Sequence, residues 1–169
     1  MAETIRSVSR VFIRGTVEQV WREITRTDAV QKCMFDMRLH TPGLAVGAPI
    51  RMRSADGKYT GVVGEVLEFD PPRRYAHTFK FTNFDDPPCK VIYDLQEVAG
   101  GVEFTLTCAD VPAGTKTAKR MVPGADMITK TLKAVVETGR PTFGTRMLYV
   151  LFKLLAPLTP KKCLSSNWP

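Results

Sequence analysis

Three stretches of two-residue alternation, followed by one long helical pattern, dictate the fold class of this chain. Tyr75, His77, Phe79 and Phe81 alternate with Ala76, Thr78 and Lys80. Val91, Tyr93 and Leu95 alternate with Ile92, Asp94 and Gln96, and Val102, Phe104, Leu106 and Cys108 with Glu103, Thr105 and Thr107. Period two puts each apolar set on one face of a strand. Gly100-Gly101 reads as a hairpin turn between the last two. An antiparallel sheet with a bare apolar face needs a cover. Met121, Ala125, Ile128, Leu132, Val135 and Val136 recur at helical spacing and make the only large apolar element of the body able to supply it. Pro123-Gly124 interrupts this pattern, so the continuous helix is predicted to start near Gly124. Gly139 is its C-cap candidate, and Pro141 stops it.

Upstream, Ile5 to Ile13 reads as a first strand. Thr16 is an N-cap candidate for a short amphipathic helix carrying Val17, Val20, Trp21 and Ile24. Thr27 and Asp28 are expected to cap a second short helix running to about Lys32. Pro42-Gly43 and Ala55-Asp56-Gly57-Lys58 are turn signals. Tyr59 to Phe69 reads as a long strand with Gly61 and Gly64 as bulge candidates, ended by Asp70-Pro71-Pro72. The expected architecture is α+β: a strand, two short helices, a meander of about six strands, and a long helix.

Nine Phe, four Tyr and two Trp supply a core and exclude disorder as the dominant state. No apolar run approaches the ~20 residues of a membrane span. The start, Met1-Ala2-Glu3-Thr4-Ile5-Arg6, has no stretch of signal-peptide type, so a cytoplasmic location is expected. Cys33, Cys89, Cys108 and Cys163 lack metal-knuckle or redox spacing, and His40 and His77 flank none of them closely. Free thiols, no metal and no cofactor are therefore expected. The net charge is +7, but after Glu137 there is no acidic residue, while Arg140, Arg146, Lys153, Lys161 and Lys162 follow. A nearly neutral body speaks against a nucleic-acid surface.

The stretch Val17-Glu18-Gln19-Val20-Trp21 with Thr25, and Gly64-Glu65-Val66-Leu67-Glu68-Phe69-Asp70-Pro71-Pro72-Arg73-Arg74, resemble the START-like helix-grip superfamily. Leu132-Lys133, Val136 and Glu137-Thr138-Gly139-Arg140-Pro141 resemble its branch of activators of the ninety-kilodalton heat-shock ATPase. The resemblance covers about Ser7 to Pro141. It implies a curved antiparallel sheet of six or seven strands gripping the long C-terminal helix, with a cavity between them. It also implies a domain over 1–141 and an extension over 142–169. Carried onto this chain, the sheet wall of the cavity is Tyr75, His77, Phe79, Phe81, Tyr93, Leu95, Phe104, Leu106 and Cys108. The helix wall includes Ala125, Ile128, Thr129, Leu132 and Val136. Many relatives carry a Trp and a Leu where this chain has Ala125 and Thr129, so extra space under the helix is expected.

The superfamily includes lipid carriers, hormone receptors, cyclases and chaperone activators, and fold does not choose among them. No GxSxG, P-loop or GxGxxG motif occurs. The principal reading is non-catalytic binding of a small hydrophobic or aromatic ligand. One alternative is a protein-interaction domain contacting a heat-shock ATPase. A second is a cyclase-like or hydrolase-like enzyme using His77 with Tyr93 or Glu65 as acid and base. Against that, His77 reads first as a hydrogen-bonded core or rim residue, Glu65 and Glu68 as solvent-facing, and Cys108 as an inert apolar side chain. His40 is expected on a loop, and Asp85-Asp86-Pro87-Pro88 in a loop between strands, at most a weak calcium site.

Met147 to Ala156 is a further helix, ended by Pro157 and Pro160 and apolar almost all round. Such a helix must be covered by its own domain, by a second copy in a homodimer, or by a membrane interface with weak contact through 142–169.

Overall fold

The computed structural model describes residues 2–169. Seven strands run in chain order: β1 (Thr4–Ile13), β2 (Arg38–His40), β3 (Pro49–Arg53), β4 (Thr60–Asp70), β5 (Arg74–Phe81), β6 (Cys89–Val98) and β7 (Gly101–Pro112). They form one open antiparallel sheet in the order β1-β7-β6-β5-β4-β3-β2. The three helices are α1 (Val17–Thr25), α2 (Lys116–Thr138) and α3 (Phe143–Leu155), followed by three 3-10 turns (Ala156–Leu158, Lys161–Cys163 and Ser165–Asn167). The α+β class and the long helix against the sheet are as the alternation predicts.

The β6–β7 hairpin aligns Tyr93 with Leu106 and Leu95 with Phe104, so the alternating residues share one buried face. Phe104, Ile13, Val20, Val102, Val111 and Leu132 are wholly shielded at the centre of this core. Two bulges bend β4. Gly61 is the extra residue opposite β3, as expected. The second bulge falls at Leu67 opposite β5, not at Gly64. Gly64 serves another purpose: a Cβ there would run into the carbonyl oxygen of Thr78.

One expectation fails between α1 and β2. There is one short helix after β1, not two. The capping box of α1 forms, with the Gln19 N–H donating to Thr16 Oγ1 (3.2 Å) and the Thr16 N–H to Gln19 Oε1 (2.9 Å). Residues 26–37 contain no helix. Their backbone is satisfied by buried side chains instead. The Gln31 amide donates to Arg26 O (3.1 Å), and Glu23 accepts the Lys32 N–H (2.8 Å). Phe35 and Asp36 turn through the left-handed region at φ 57° and 56°, which closes the loop before β2. His40, expected on a loop, lies in the short edge strand β2.

The long helix also starts earlier than expected, at Lys116 rather than near Gly124. Thr115 caps it, accepting the Ala118 N–H (3.1 Å). Asp86, from the β5–β6 loop, accepts from the Thr117 N–H (3.0 Å) and hydroxyl (2.8 Å). These acceptors meet the first-turn N–H groups that a helix cannot satisfy internally. Ala118 and Met121 are buried upstream of Pro123, so packing carries the helix through the proline. Gly139 ends α2 at φ 82°, as predicted.

Beyond Pro141 the chain touches the body at three places, one of them an exposed ion pair of Lys162 with Asp85 at 3.9 Å. Tyr149 docks α3 on the 26–37 loop. The Ser165 N–H then donates to Lys58 O (2.9 Å) and Arg53 Nη2 to Trp168 O (2.8 Å), fastening the last residues to the β3–β4 turn.

Candidate functional site

The inner face of β5 and β6 carries a chain of rings. Tyr75 and Tyr93, paired across the strands, stack at 5.2 Å and 15°. His77 lies 5.2 Å from Tyr75 and 5.6 Å from Tyr93. The row continues through Phe79 and Phe81, edge to face at 4.8 Å, to Phe84 at 5.6 Å. Period two along β5 puts 75, 77, 79 and 81 in one line, and the register with β6 adds Tyr93. Burial is graded along this line. Tyr75, His77 and Tyr93 are buried, whereas Phe79, Phe81 and Phe84 are half-buried.

The remaining expected wall residues converge on the same interior. Leu95, Phe104, Leu106 and Cys108 are buried on the sheet side, and Ala125, Thr129 and Leu132 on α2, with Ile128 partly buried. α2 is tied across β1, where the Ser9 hydroxyl donates to the Asp126 carboxylate. The Thr129 hydroxyl donates to Asp126 O (2.9 Å). Two concavities of about 550 and 390 Å³ open elsewhere. The first lies on the outer face of the sheet among Arg10, Arg74, Asp94 and Glu103, the second between α2 and the start of α3.

The polar tip of the ring row has a defined protonation. His77 Nδ1 lies 2.7 Å from Thr78 O, and a carbonyl only accepts, so Nδ1 carries the proton. Nε2 is then an acceptor for the Tyr93 hydroxyl at 3.2 Å. Burial lowers the His77 pKa to about 4, so the ring is neutral at physiological pH. Burial also raises the Tyr75 and Tyr93 phenols. The same desolvation raises the Cys108 thiol and takes that of Cys89 to about 12, so neither is a thiolate. Glu65 and Glu68 are exposed, and Glu68 pairs with Arg74 at 2.7 Å. Asp86 is engaged as the second cap of α2, which gives the Asp85-Asp86 loop a structural role. Among the described residues, no group of three or more His, Cys, Asp or Glu side chains could hold a metal ion.

Sequence reasoning missed three contributors. Trp21 closes the row from α1, 5.5 Å from Phe69, which in turn meets Tyr75 edge-on at 5.9 Å. The helical period placed Trp21 inward without a partner. Phe84 sits outside the β5 alternation, and no pattern marks it. Tyr149 carries the only phenol of its helix, which is the one signal that could have named it as an anchor.

An open antiparallel sheet packed against one long helix is the helix-grip class of α+β domain. Residues 14–137 match the family described as Activator of Hsp90 ATPase homolog 1-like protein, and the chain belongs to that family. No curated protein matches it in sequence. Among solved structures, the Aha1 dimer of Colwellia psychrerythraea is 16% identical at a TM-score of 0.63, over 80% of this chain and 98% of that one. CalU16 of Micromonospora echinospora is 18% identical at 0.60, over 89% and 88%. DynU16, from the dynemicin biosynthetic locus, is 22% identical at 0.62, over 80% of this chain and 48% of that one. At these identities the likeness is one of fold. Among the described residues, no helix is long and apolar enough to cross a membrane.

Proposed function

We propose that the sheet and α2 enclose a site that binds a small hydrophobic or aromatic ligand without turning it over. One observation carries the reading: a row of rings leads from the half-buried Phe79, Phe81 and Phe84 to the buried polar pair His77 and Tyr93. Ligand sites are mostly apolar with a few convergent polar groups, and this row has that composition. Ala125 and Thr129 support it from the helix, because short side chains there take up little of the interior. The neutral His77, the exposed Glu65 and Glu68 and the protonated Cys108 favour binding over catalysis. Buried free thiols at Cys33, Cys89, Cys108 and Cys163 support a cytoplasmic setting. Residues 1–141 are proposed as the binding domain and 142–169 as its extension.

The test fills that site. Ala125→Trp and Thr129→Leu restore the bulk that related chains carry, and the probe is the apolar dye 1-anilinonaphthalene-8-sulfonate. Each folded variant is expected to bind the dye at least about tenfold more weakly, since a bulky side chain excludes a ligand by overpacking. Unchanged dye affinity in a variant with an intact thermal transition overturns the reading. His77→Ala separates binding from turnover, because a general acid or base is worth about a hundredfold or more in rate.

Family membership favours a second reading, contact with a heat-shock ATPase. Its check is the ATPase rate of a purified ninety-kilodalton heat-shock protein with and without this chain. A rate unchanged at saturating chain removes it.

A further inference from the structure

Tyr149 is the buried residue of α3, and it fixes the rotation of that helix. Its hydroxyl donates to Lys32 O (2.7 Å) and accepts the Phe35 N–H (3.2 Å). With 3.6 residues per turn, Phe143, Met147, Val150, Leu151, Leu154 and Leu155 then point away from the body. All six are exposed, Phe143 at 70% and Leu154 at 72%. Soluble monomers rarely leave so continuous an apolar face uncovered. Basic side chains border it. Arg146 and Lys153 stand on the flank nearer the body, with the Arg146 guanidinium 5.9 Å from the Phe143 ring centroid. Lys161 and Lys162 are exposed just beyond the helix. Lys153 lies 3.7 Å from the Asp36 carboxylate and Lys162 3.9 Å from that of Asp85, exposed pairs that a headgroup phosphate or carboxylate can replace.

We propose that this face of α3 seats in the interfacial layer of an anionic lipid bilayer, lying in its plane, with Arg146, Lys153, Lys161 and Lys162 at the headgroups. Charge complementarity chooses this occupant. Residues 138–169 hold five basic side chains and no acidic one. A two-fold contact between copies would place two such acid-free strips against each other, whereas an anionic leaflet carries the opposite sign. The face also has no hydrogen-bonding side chain, while specific protein interfaces carry about one hydrogen bond per 100–200 Å². Thirteen residues make a helix about 20 Å long, too short to span a bilayer and long enough to lie on one. The proposal stands whether or not the interior holds a ligand.

The test is flotation of the full chain with vesicles of phosphatidylcholine containing about 30 mol % phosphatidylserine, against phosphatidylcholine alone. Expected is co-flotation with the anionic vesicles that weakens as salt rises. Leu151→Glu with Leu154→Glu is expected to cut binding at least about tenfold by removing apolar insertion. Arg146→Gln, Lys161→Gln and Lys162→Gln together are expected to cut it about a hundredfold on anionic vesicles, at about fivefold for each charge. The substituted side chains are exposed, and an unchanged thermal transition verifies the fold. The proposal is overturned if the chain stays in the aqueous fraction, or if the double Glu variant floats as well as the unsubstituted chain. It is equally overturned if sedimentation velocity finds a dimer that the double Glu variant dissolves, which assigns the face to a second copy.

Discussion

The inner face of β5–β6 and the outer face of α3 are both rows of large apolar side chains, yet one is shut inside the fold and the other faces outward. Composition does not separate them. Direction does. Along β5 the period of two sends Tyr75, His77, Phe79 and Phe81 to one side, and the β4 and β6 registers fix which side that is. α3 is apolar almost all round, so no period tells its faces apart. One buried phenol leads: Tyr149 finds Lys32 O and the Phe35 N–H, Phe152 and Lys153 meet Phe35 and Asp36 beside it, and the opposite side of the helix turns out. The interior is thus held by many reinforcing contacts, the extension by few.

That contrast orders the expected effects. The largest belongs to the centre of the interior. Phe104→Ala is expected to cost about 3–5 kcal/mol in urea unfolding, as for large aromatic deletions from packed cores. A cost below about 1 kcal/mol would mean that the β6–β7 face is not the core.

Next is the pH dependence of His77. Its native pKa is about 4, against an ordinary 6.5, so between these values the unfolded chain binds more protons than the native one. The contribution is complete above about pH 6.5 and is lost as the pH falls through 4. It amounts to about 3 kcal/mol at 1.36 kcal/mol per unit. Comparing unfolding free energies of the parent and His77→Phe from pH 7 to 4 isolates it. Parallel curves would place His77 in contact with solvent.

A smaller effect is expected at the hinge of the comparison. Tyr149→Phe removes two hydrogen bonds and should cost about 1–2 kcal/mol. Amide exchange is expected to quicken through α3 and not through β5–β7. Exchange that quickens equally in both regions would show them to be one cooperative unit.

The smallest effect is expected on the outer face. Leu154→Ser should change stability by less than about 0.5 kcal/mol, because the side chain is exposed. A loss like that of a core leucine would show that the face is covered in solution.

The same contrast explains what the sequence made legible. The positions of β1 and β4 to β7, the long helix and its Gly139 end follow from local period and caps, so they could be read in order along the chain, whereas β2 and β3 are too short for a period to mark them and His40 reads as a loop residue. The start of α2 could not, because Asp86, which meets its first turn, lies 31 residues upstream. Nor could the 26–37 loop. Thr27 and Asp28 look like a cap, but Asp28 pairs with Arg26 (3.0 Å), while Glu23 and Gln31 satisfy the backbone that a helix would have satisfied. Of the candidate site, the wall residues on β5–β7 follow from alternation together with the family resemblance. The tautomer of His77 and its link to Tyr93 needed the register of β5 on β6. The facing of α3 needed Tyr149.

The most direct measurement is native mass spectrometry of the purified full chain, followed by denaturing extraction and identification of released small molecules. The expected result is a one-to-one complex with an apolar or aromatic compound that extraction releases, lost in Ala125→Trp. A spectrum holding only the bare chain, with dye affinity unaffected by Ala125→Trp, would contradict a ligand-binding interior.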